Sequence, residues 1–180
     1  MDTRPTIKGI FVNSHIKKVR EAKGEEGVRE LEKKFGMPLK FGNFEDVPVQ
    51  EEVRLIECAL EVLRGGLVPD TEKAFEAGRL HFTNFSQTPL GRILFSQFKN
   101  NFKMLMMNAP SIAGHVFKGV RFYADELAPN KVKVTMENND YPIEHFKGLF
   151  QEWMNFSGLE GTVEARETAP NRYEYLMQWR

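Results

Sequence analysis

The four histidines of this 180-residue chain are the side chains best suited to bind a metal or to move a proton near neutral pH. They are His15, His81, His115 and His145. No two of them have the i, i+4 spacing that places two metal ligands on one face of a helix. Each falls in a different predicted element. Local spacing therefore predicts no metal site, and a site assembled from histidines distant in the chain is left open.

Cys58 is the single cysteine, so neither a disulfide framework nor a zinc site with several thiolates is possible. A nucleophilic cysteine needs a cationic neighbour or a helix N-terminus to lower its pKa. Cys58 instead follows Glu57 in the middle of a predicted helix, and we expect a buried, inert thiol.

Motifs for common reactions are missing from the sequence. It contains no glycine-rich phosphate loop, no His-Glu-x-x-His, no Cys-x-x-Cys and no Gly-x-Ser-x-Gly. Lys and Arg number 25 and so do Asp and Glu, and this zero net charge argues against a general nucleic-acid binder. We therefore predict no catalytic residue and no cofactor, and an enzyme is the less favoured alternative.

One interval, residues 77–124, contains cations but no acidic residue. Its Lys and Arg residues are Arg79, Arg92, Lys99, Lys103, Lys118 and Arg121. Such segregation is typical of a surface or pocket that meets a carboxylate, a phosphate or an acidic partner. The alternative is that the interval is mostly core and that its cations pair with acidic groups of the N-terminal helices.

Phenylalanine and methionine are abundant, at 15 and 8 residues, and many of them lie in or beside the same interval. Methionine adapts to irregular space, so this composition fits either an apolar ligand cavity or an ordinary core. Together with the cations they define candidate ligand-binding residues. These are Arg79, His81, Phe85, Arg92, Phe98, Phe102, Lys103, Met106 and His115.

Helices must position most of these side chains. Apolar residues at spacings of three and four predict helices over 9–23, 25–35, 48–64 and 70–85. A further helical run begins at Thr88-Pro89 and is closed by Pro110.

Strands dominate the C-terminal part. Val132, Val134 and Met136 alternate with polar residues, which is typical of a half-buried strand. Turn residues at 128–130 and 170–171 predict two hairpins, with a helix from Pro142 to Gly158 between them. The sequence thus predicts one α+β domain over 1–180, in which N-terminal helices precede a β-β-α-β-β unit with a four-stranded antiparallel sheet.

The N-terminus has no apolar core of a signal peptide, and no apolar stretch is long enough to span a bilayer. We expect a soluble, cytoplasmic protein without a transmembrane segment.

Several phrases resemble an uncharacterised bacterial domain family that is known mostly from many paralogous copies in myxobacteria. They are K-G-I-F-V-N at 8–13, V-R-E-x-x-G-E-E-G at 19–27, A-x-x-x-G-R at 74–79 and T-P-L-G-R at 88–92. The closing phrases of that family also fit, from Pro142 to the final strand ending at Trp179. This resemblance covers nearly the whole chain and implies a fold but no activity.

The order of elements is also similar to the haem–nitric-oxide sensor domain and to the 4-vinyl reductase-like domain. The haem sensors hold the haem propionates with a Tyr-x-Ser-x-Arg motif, which this sequence lacks, although His81 or His115 could be nominated as haem ligands. Zinc-containing sensors of the second group use several cysteines, and here only Cys58 is present. The resemblance therefore implies a dimeric, non-catalytic fold with a lipophilic interior.

These observations favour a non-catalytic sensor or ligand-binding module for an apolar or amphipathic small molecule. In this hypothesis Arg79, Arg92 or Lys103 contacts an acidic head group of the ligand. The alternative is a protein-interaction module that acts as a homodimer without a ligand, in which the same apolar residues form the interface.

Overall fold

The computed structural model describes residues 4–98 and 101–180, without the side chains of Gln97 and Phe98. Seven helices and seven strands occur in these residues. In chain order they are β1 (Thr6–Lys8), α1 (Gly9–Phe35), β2 (Asp46–Pro48), α2 (Val49–Arg64), α3 (Asp70–Ser86), α4 (Pro89–Phe98), α5 (Phe102–Met107), α6 (Ala109–Val116), β3 (Phe117–Lys118), β4 (Arg121–Ala128), β5 (Lys131–Glu137), α7 (Ile143–Phe156), β6 (Gly161–Ala169) and β7 (Arg172–Trp179). No helix among these residues is both long enough and apolar enough to cross a bilayer.

The larger sheet has four antiparallel strands in the order β4-β5-β7-β6. Short turns join β4 to β5 and β6 to β7, and Asn171 in the second turn has a φ of 56°. Asparagine is one of the few residues that adopts this left-handed conformation readily. The predicted α+β class and β-β-α-β-β unit are therefore confirmed.

A second sheet, with the order β2-β1-β3, was not predicted from the sequence. Its strands have two or three residues, which is too short for alternation to become visible. It joins the N-terminus to the segment before β4, and Asp46 holds it together through ion pairs with Lys8 and Lys118.

The helical boundaries agree with the prediction in the first half of the chain and differ from it after residue 88. Gly24 interrupts α1 with a φ of 65°, where the sequence predicts a break between two helices. The single run predicted between Thr88 and Pro110 is wrong. Asn101 caps a new helix by accepting a hydrogen bond from the Met104 N–H at 2.9 Å, and Pro110 occupies the first turn of α6, where its missing N–H is harmless.

Helix α7 packs against α3 and against the four-stranded sheet. Rings of Phe146 and Phe150 contact Tyr175 of β7, while Trp153 contacts Phe82 of α3. All five side chains are buried. Because α3 and the sheet both pack on α7, a change at either can reach the other through this helix.

Candidate functional site

Two glycines allow α3 and α7 to approach backbone to backbone. A Cβ atom at Gly78 would lie 1.8 Å from the carbonyl oxygen of His145, and one at Gly148 would lie 2.0 Å from that of Phe75. No side chain fits such a contact. The crossing point of the two helices is therefore fixed by the absence of side chains at Gly78 and Gly148.

This crossing brings two distant histidines together. His81 lies three residues after Gly78, and His145 lies three residues before Gly148, so each side chain is about one turn from the contact. The His81 Nδ1 and His145 Nε2 atoms are 3.0 Å apart, and both rings are buried. One nitrogen donates and the other accepts, according to the tautomers.

Helices α1 and α2 add a buried acid and a third histidine. The Oε1 atom of Glu52 is 2.6 Å from His15 Nε2 and 3.6 Å from His81 Nδ1. On the other side of the ring, Asn84 Nδ2 donates to His15 Nδ1 at 2.8 Å. Both side chains of the His15–Glu52 pair are wholly excluded from solvent. In this arrangement His15 carries its proton on Nε2 and donates it to the carboxylate.

We call this group the buried cluster. Its members come from α1, α2, α3 and α7 and from the loop before α7. They are His15, Glu52, His81, Asn84, Tyr141 and His145.

Burial sets the protonation of the cluster. It lowers the pKa of His81 to about 4 against the attraction of Glu52, and it lowers the pKa of His145 to about 3. Burial alone would raise the pKa of Glu52, but the three histidines around it outweigh that effect and hold its pKa at about 2. The pKa of Tyr141 is raised well above its usual value by burial and by Glu52. At neutral pH the cluster thus holds the Glu52 carboxylate beside the neutral imidazoles of His81 and His145.

Several polar atoms of the cluster lack a hydrogen-bond partner within the described part of the chain. They are Glu52 Oε2, Asn84 Oδ1, Tyr141 OH and His145 Nδ1. Most buried polar groups in proteins are paired, since leaving one unpaired costs free energy. Four such atoms in one cluster mark a place with unused capacity to bind.

An apolar crevice adjoins the cluster at His81. Its volume is about 50 Å³, and its walls come from α3, α6, β3, β4 and α7. His81 is the one imidazole in a lining of otherwise apolar residues, which are Phe85, Ala109, Ile112, Ala113, Val116, Phe117, Phe122, Phe146, Leu149, Phe150 and Trp153. Ile112, Phe117 and Phe122 retain some solvent exposure, which places them at its mouth. We call this feature the apolar crevice.

Two of the nine candidate residues from the sequence, His81 and Phe85, lie in the crevice wall. Arg79 points elsewhere, since its guanidinium is 2.8 Å from Glu152 and 3.3 Å from Glu76. Glu152 also raises the pKa of Arg79.

The other candidates whose side chains are described do not line the crevice. Arg92 is exposed on α4, and Lys103 pairs with Glu126 at 2.9 Å. Phe102 packs on Trp179, and Met106 is fully buried. The two remaining candidates are His115, which is exposed at the end of α6, and Phe98, whose side chain is outside the described residues.

The described cations of 77–124 do not converge on one pocket, and Lys99 lies outside the described residues. Besides Arg79 and Lys103, Lys118 pairs with Asp46, and Arg121 pairs with Glu137. The acids that pair with these four cations are Asp46, Glu76, Glu126, Glu137 and Glu152, and only Glu76 lies on an N-terminal helix. The four cations are therefore paired, but mostly not with the N-terminal helices that the alternative expected.

Sequence reasoning did not select His15, Glu52 or His145. A signal was present for Glu52, because Val49, Glu52, Ile56 and Ala59 share one face of α2 and all are buried. An acid on an apolar face indicates a buried partner. His145 carried no such signal, since its partner comes from a helix 64 residues earlier.

Known structures of H-NOX domains share this fold. An H-NOX domain solved to explain H-NOX activation aligns with a TM-score of 0.71 and 20% identity, covering 96% of each chain. An oxygen-binding H-NOX domain related to soluble guanylate cyclases aligns with a TM-score of 0.71 and 19% identity, over 96% of this chain and 95% of that one. A structure concerned with the function of haem distortion in the H-NOX family aligns with a TM-score of 0.68 and 19% identity, over 96% and 95%.

Curated proteins give no match to this sequence. A family model does match, over residues 2–180, and it is described as a protein of unknown function, DUF2378. Since that match spans nearly the whole chain, this protein belongs to the DUF2378 family and has the H-NOX fold.

Proposed function

We propose that residues 1–180 form one non-catalytic sensor domain for signalling, which binds a small apolar molecule in the apolar crevice. The observation that carries this proposal is the position of His81. Its ring belongs both to the crevice wall and to the buried cluster. A ligand in the crevice therefore contacts a side chain that connects four helices.

The crevice limits the chemistry of the ligand. Its volume of about 50 Å³ is far below the ~300–1,000 Å³ of pockets for drug-sized ligands, so the occupant has few non-hydrogen atoms. No Lys or Arg is among its lining residues, and Arg79 is paired with Glu152. We therefore favour an apolar molecule without an acidic head group.

The helix crossing supplies a route for the signal. A ligand between α3 and α7 bears on the contact at Gly78 and Gly148, and that contact holds His81 against His145. Close-packed contacts of this kind do not deform gradually. A bound ligand therefore favours the one of two helix arrangements to which it binds more tightly. The size of the shift depends on the ratio of its affinities for the two arrangements.

Haem is the group that the fold suggests, and one of the similar H-NOX structures concerns haem redox potential. The residues here do not fit it. His81 and His145 bond to each other in a filled interior, and the adjoining crevice of about 50 Å³ is too small for a porphyrin. His115, which the sequence could nominate as a ligand, is exposed and does not line the crevice.

The proposal is tested by thermal denaturation with dichloromethane and chloroform as probes, which have three and four non-hydrogen atoms. We expect both to raise the melting temperature of the wild-type protein. Ala113→Leu fills the crevice and should abolish the increase, while the same substitution at exposed Ala169 should leave it intact. Equal responses of the two variants, or no response of the wild type, would contradict the proposal.

The homodimeric interaction module, which the sequence left as the alternative to a sensor, stays a prediction. This alternative predicts that light scattering of the protein without any probe shows a dimer.

A further inference from the structure

We propose that His15, Glu52 and His81 form a binding site for a divalent first-row transition-metal ion of the zinc class. One ligand atom from each residue lies within 4.8 Å of the other two, and all three side chains are buried. The three residues come from α1, α2 and α3, so the ion would join the three N-terminal helices.

The spacing of the ligand atoms suits such an ion. Zinc–nitrogen bonds of ~2.0–2.1 Å place neighbouring ligand atoms about 3.0–3.4 Å apart. Glu52 Oε1 is 2.6 Å from His15 Nε2 and 3.6 Å from His81 Nδ1, so shifts of a few tenths of an ångström bring both distances into that range. Two imidazoles and a carboxylate are ligands typical of zinc, iron, cobalt and nickel.

The unpartnered atoms of the cluster point independently to a missing positive centre. Glu52 Oε2 and Asn84 Oδ1 are buried without hydrogen-bond partners among the described residues. The Glu52 side chain is wholly excluded from solvent, and a buried carboxylate is costly unless a positive centre or several hydrogen bonds satisfy it. A divalent cation bound to Glu52 removes that cost.

Asn84 is placed to support His15 as a ligand. A metal-bound imidazole normally donates its other N–H to an acceptor, which fixes the ring. The unpartnered Asn84 Oδ1 becomes that acceptor when the amide turns by half a rotation, because the amide already lies against His15 Nδ1. The two amide orientations are nearly isosteric.

A route from solvent exists beside the same residue. Asn84 lines a surface groove of about 400 Å³ whose walls combine apolar and polar residues with the charged Lys17, Lys18, Arg20 and Glu21. The groove meets the cluster at this residue, because Asn84 Nδ2 is 2.8 Å from His15 Nδ1. The groove and the apolar crevice share no lining residue.

His145 determines the coordination number. Its Nε2 is 3.0 Å from His81 Nδ1, which is the spacing of neighbouring ligands. When His81 Nδ1 binds the ion, the hydrogen bond to His145 must be given up, and His145 Nε2 becomes free to serve as a fourth ligand.

The test uses the full protein after removal of metals with a chelator, and the probe is Co²⁺ alone. We expect one equivalent to bind, with visible absorbance bands of cobalt bound to nitrogen and oxygen, and Zn²⁺ should displace it. Glu52→Gln and His81→Gln should weaken Co²⁺ binding by at least 100-fold. His115→Gln, the same substitution at an exposed histidine, should leave it unchanged.

Circular dichroism of each metal-free variant establishes that it is folded. Glu52→Gln keeps the size of the side chain and its contact with His15, so it is the variant most certain to fold. Should the variants unfold, anomalous diffraction from a zinc-soaked wild-type crystal locates the ion directly.

Absence of Co²⁺ binding, equal loss in His115→Gln, or an anomalous peak away from Glu52 would overturn the proposal. The response to dichloromethane and chloroform involves the crevice and needs no metal. Failure of one proposal is therefore distinguishable from failure of the other.

Discussion

Gly78→Ala is the substitution that acts most directly on the helix crossing. The new Cβ would lie 1.8 Å from the His145 carbonyl oxygen, 2.7 Å from its carbonyl carbon and 3.0 Å from the Leu149 nitrogen. All three are backbone atoms, so no side-chain rotation relieves the overlap. Ordinary contact begins near 3.4 Å, and the helices must therefore separate by about 1.5 Å.

The free energy of unfolding should fall accordingly. Overpacking a dense core costs about 1–3 kcal/mol, and a clash between two backbones belongs at the upper end. Alanine returns about 1 kcal/mol through its higher helix propensity. The net loss is about 2 kcal/mol, which lowers the melting temperature by roughly 4–8 °C in a domain of this size.

Thermal and urea denaturation measure this loss, with Gly114→Ala as the control. A Cβ atom at Gly114, inside α6, meets no atom within 4 Å, so the propensity gain should raise stability. Histidine-ring NMR of Gly78→Ala should also show that the contact between His81 and His145 is disturbed. Wild-type stability in Gly78→Ala would refute the packing argument, as would equal effects of the two substitutions.

Three further predictions concern residues outside the crossing. Arg79→Gln breaks a half-exposed ion pair, so it should cost at most about 1 kcal/mol of stability and leave the thermal shift with chloroform unchanged; loss of that shift would show that Arg79 contributes to the ligand site. Hydrogen bonds from Lys8 and Lys118 hold the pKa of Asp46 below its usual value, so Asp46→Asn should destabilise the protein at pH 7 but not after the pH falls through that lowered pKa. Urea denaturation of Asp46→Asn and of the wild type at pH 7 and pH 2 tests this prediction. A loss of stability that is as large at pH 2 as at pH 7 would contradict it. Burial raises the pKa of the Cys58 thiol, so iodoacetamide at pH 8 should modify it faster in urea than in the native state, and equal rates would place it at the surface.

The C-terminal sheet is predictable because its signals are local. Alternation at Val132, Val134 and Met136 identifies β5. The turns at 128–130 and 170–171 define the two hairpins of the sheet, β4–β5 and β6–β7. The small sheet gives no comparable signal. Its strands β1, β2 and β3 are defined by partners up to 112 residues apart, such as Thr6 and Lys118.

The buried cluster shows where local reasoning ends. Histidines are visible in the sequence, but their meeting depends on two glycines, Gly78 and Gly148, whose importance appears only when the two helices are packed together. Glu52 belongs to the apolar face of α2, yet its partners lie on α1 and α3. Periodicity describes one helix at a time, so it cannot identify a site made by several helices.

The most direct test of the central claim is diffraction from a wild-type crystal under xenon pressure. Xenon is apolar and enters small dry cavities in proteins. The account predicts a xenon peak in the apolar crevice, in contact with His81 and Trp153, and no density for a porphyrin. A crevice that stays empty while xenon binds elsewhere in the same crystal would contradict it, and so would haem bound to His81 or His145.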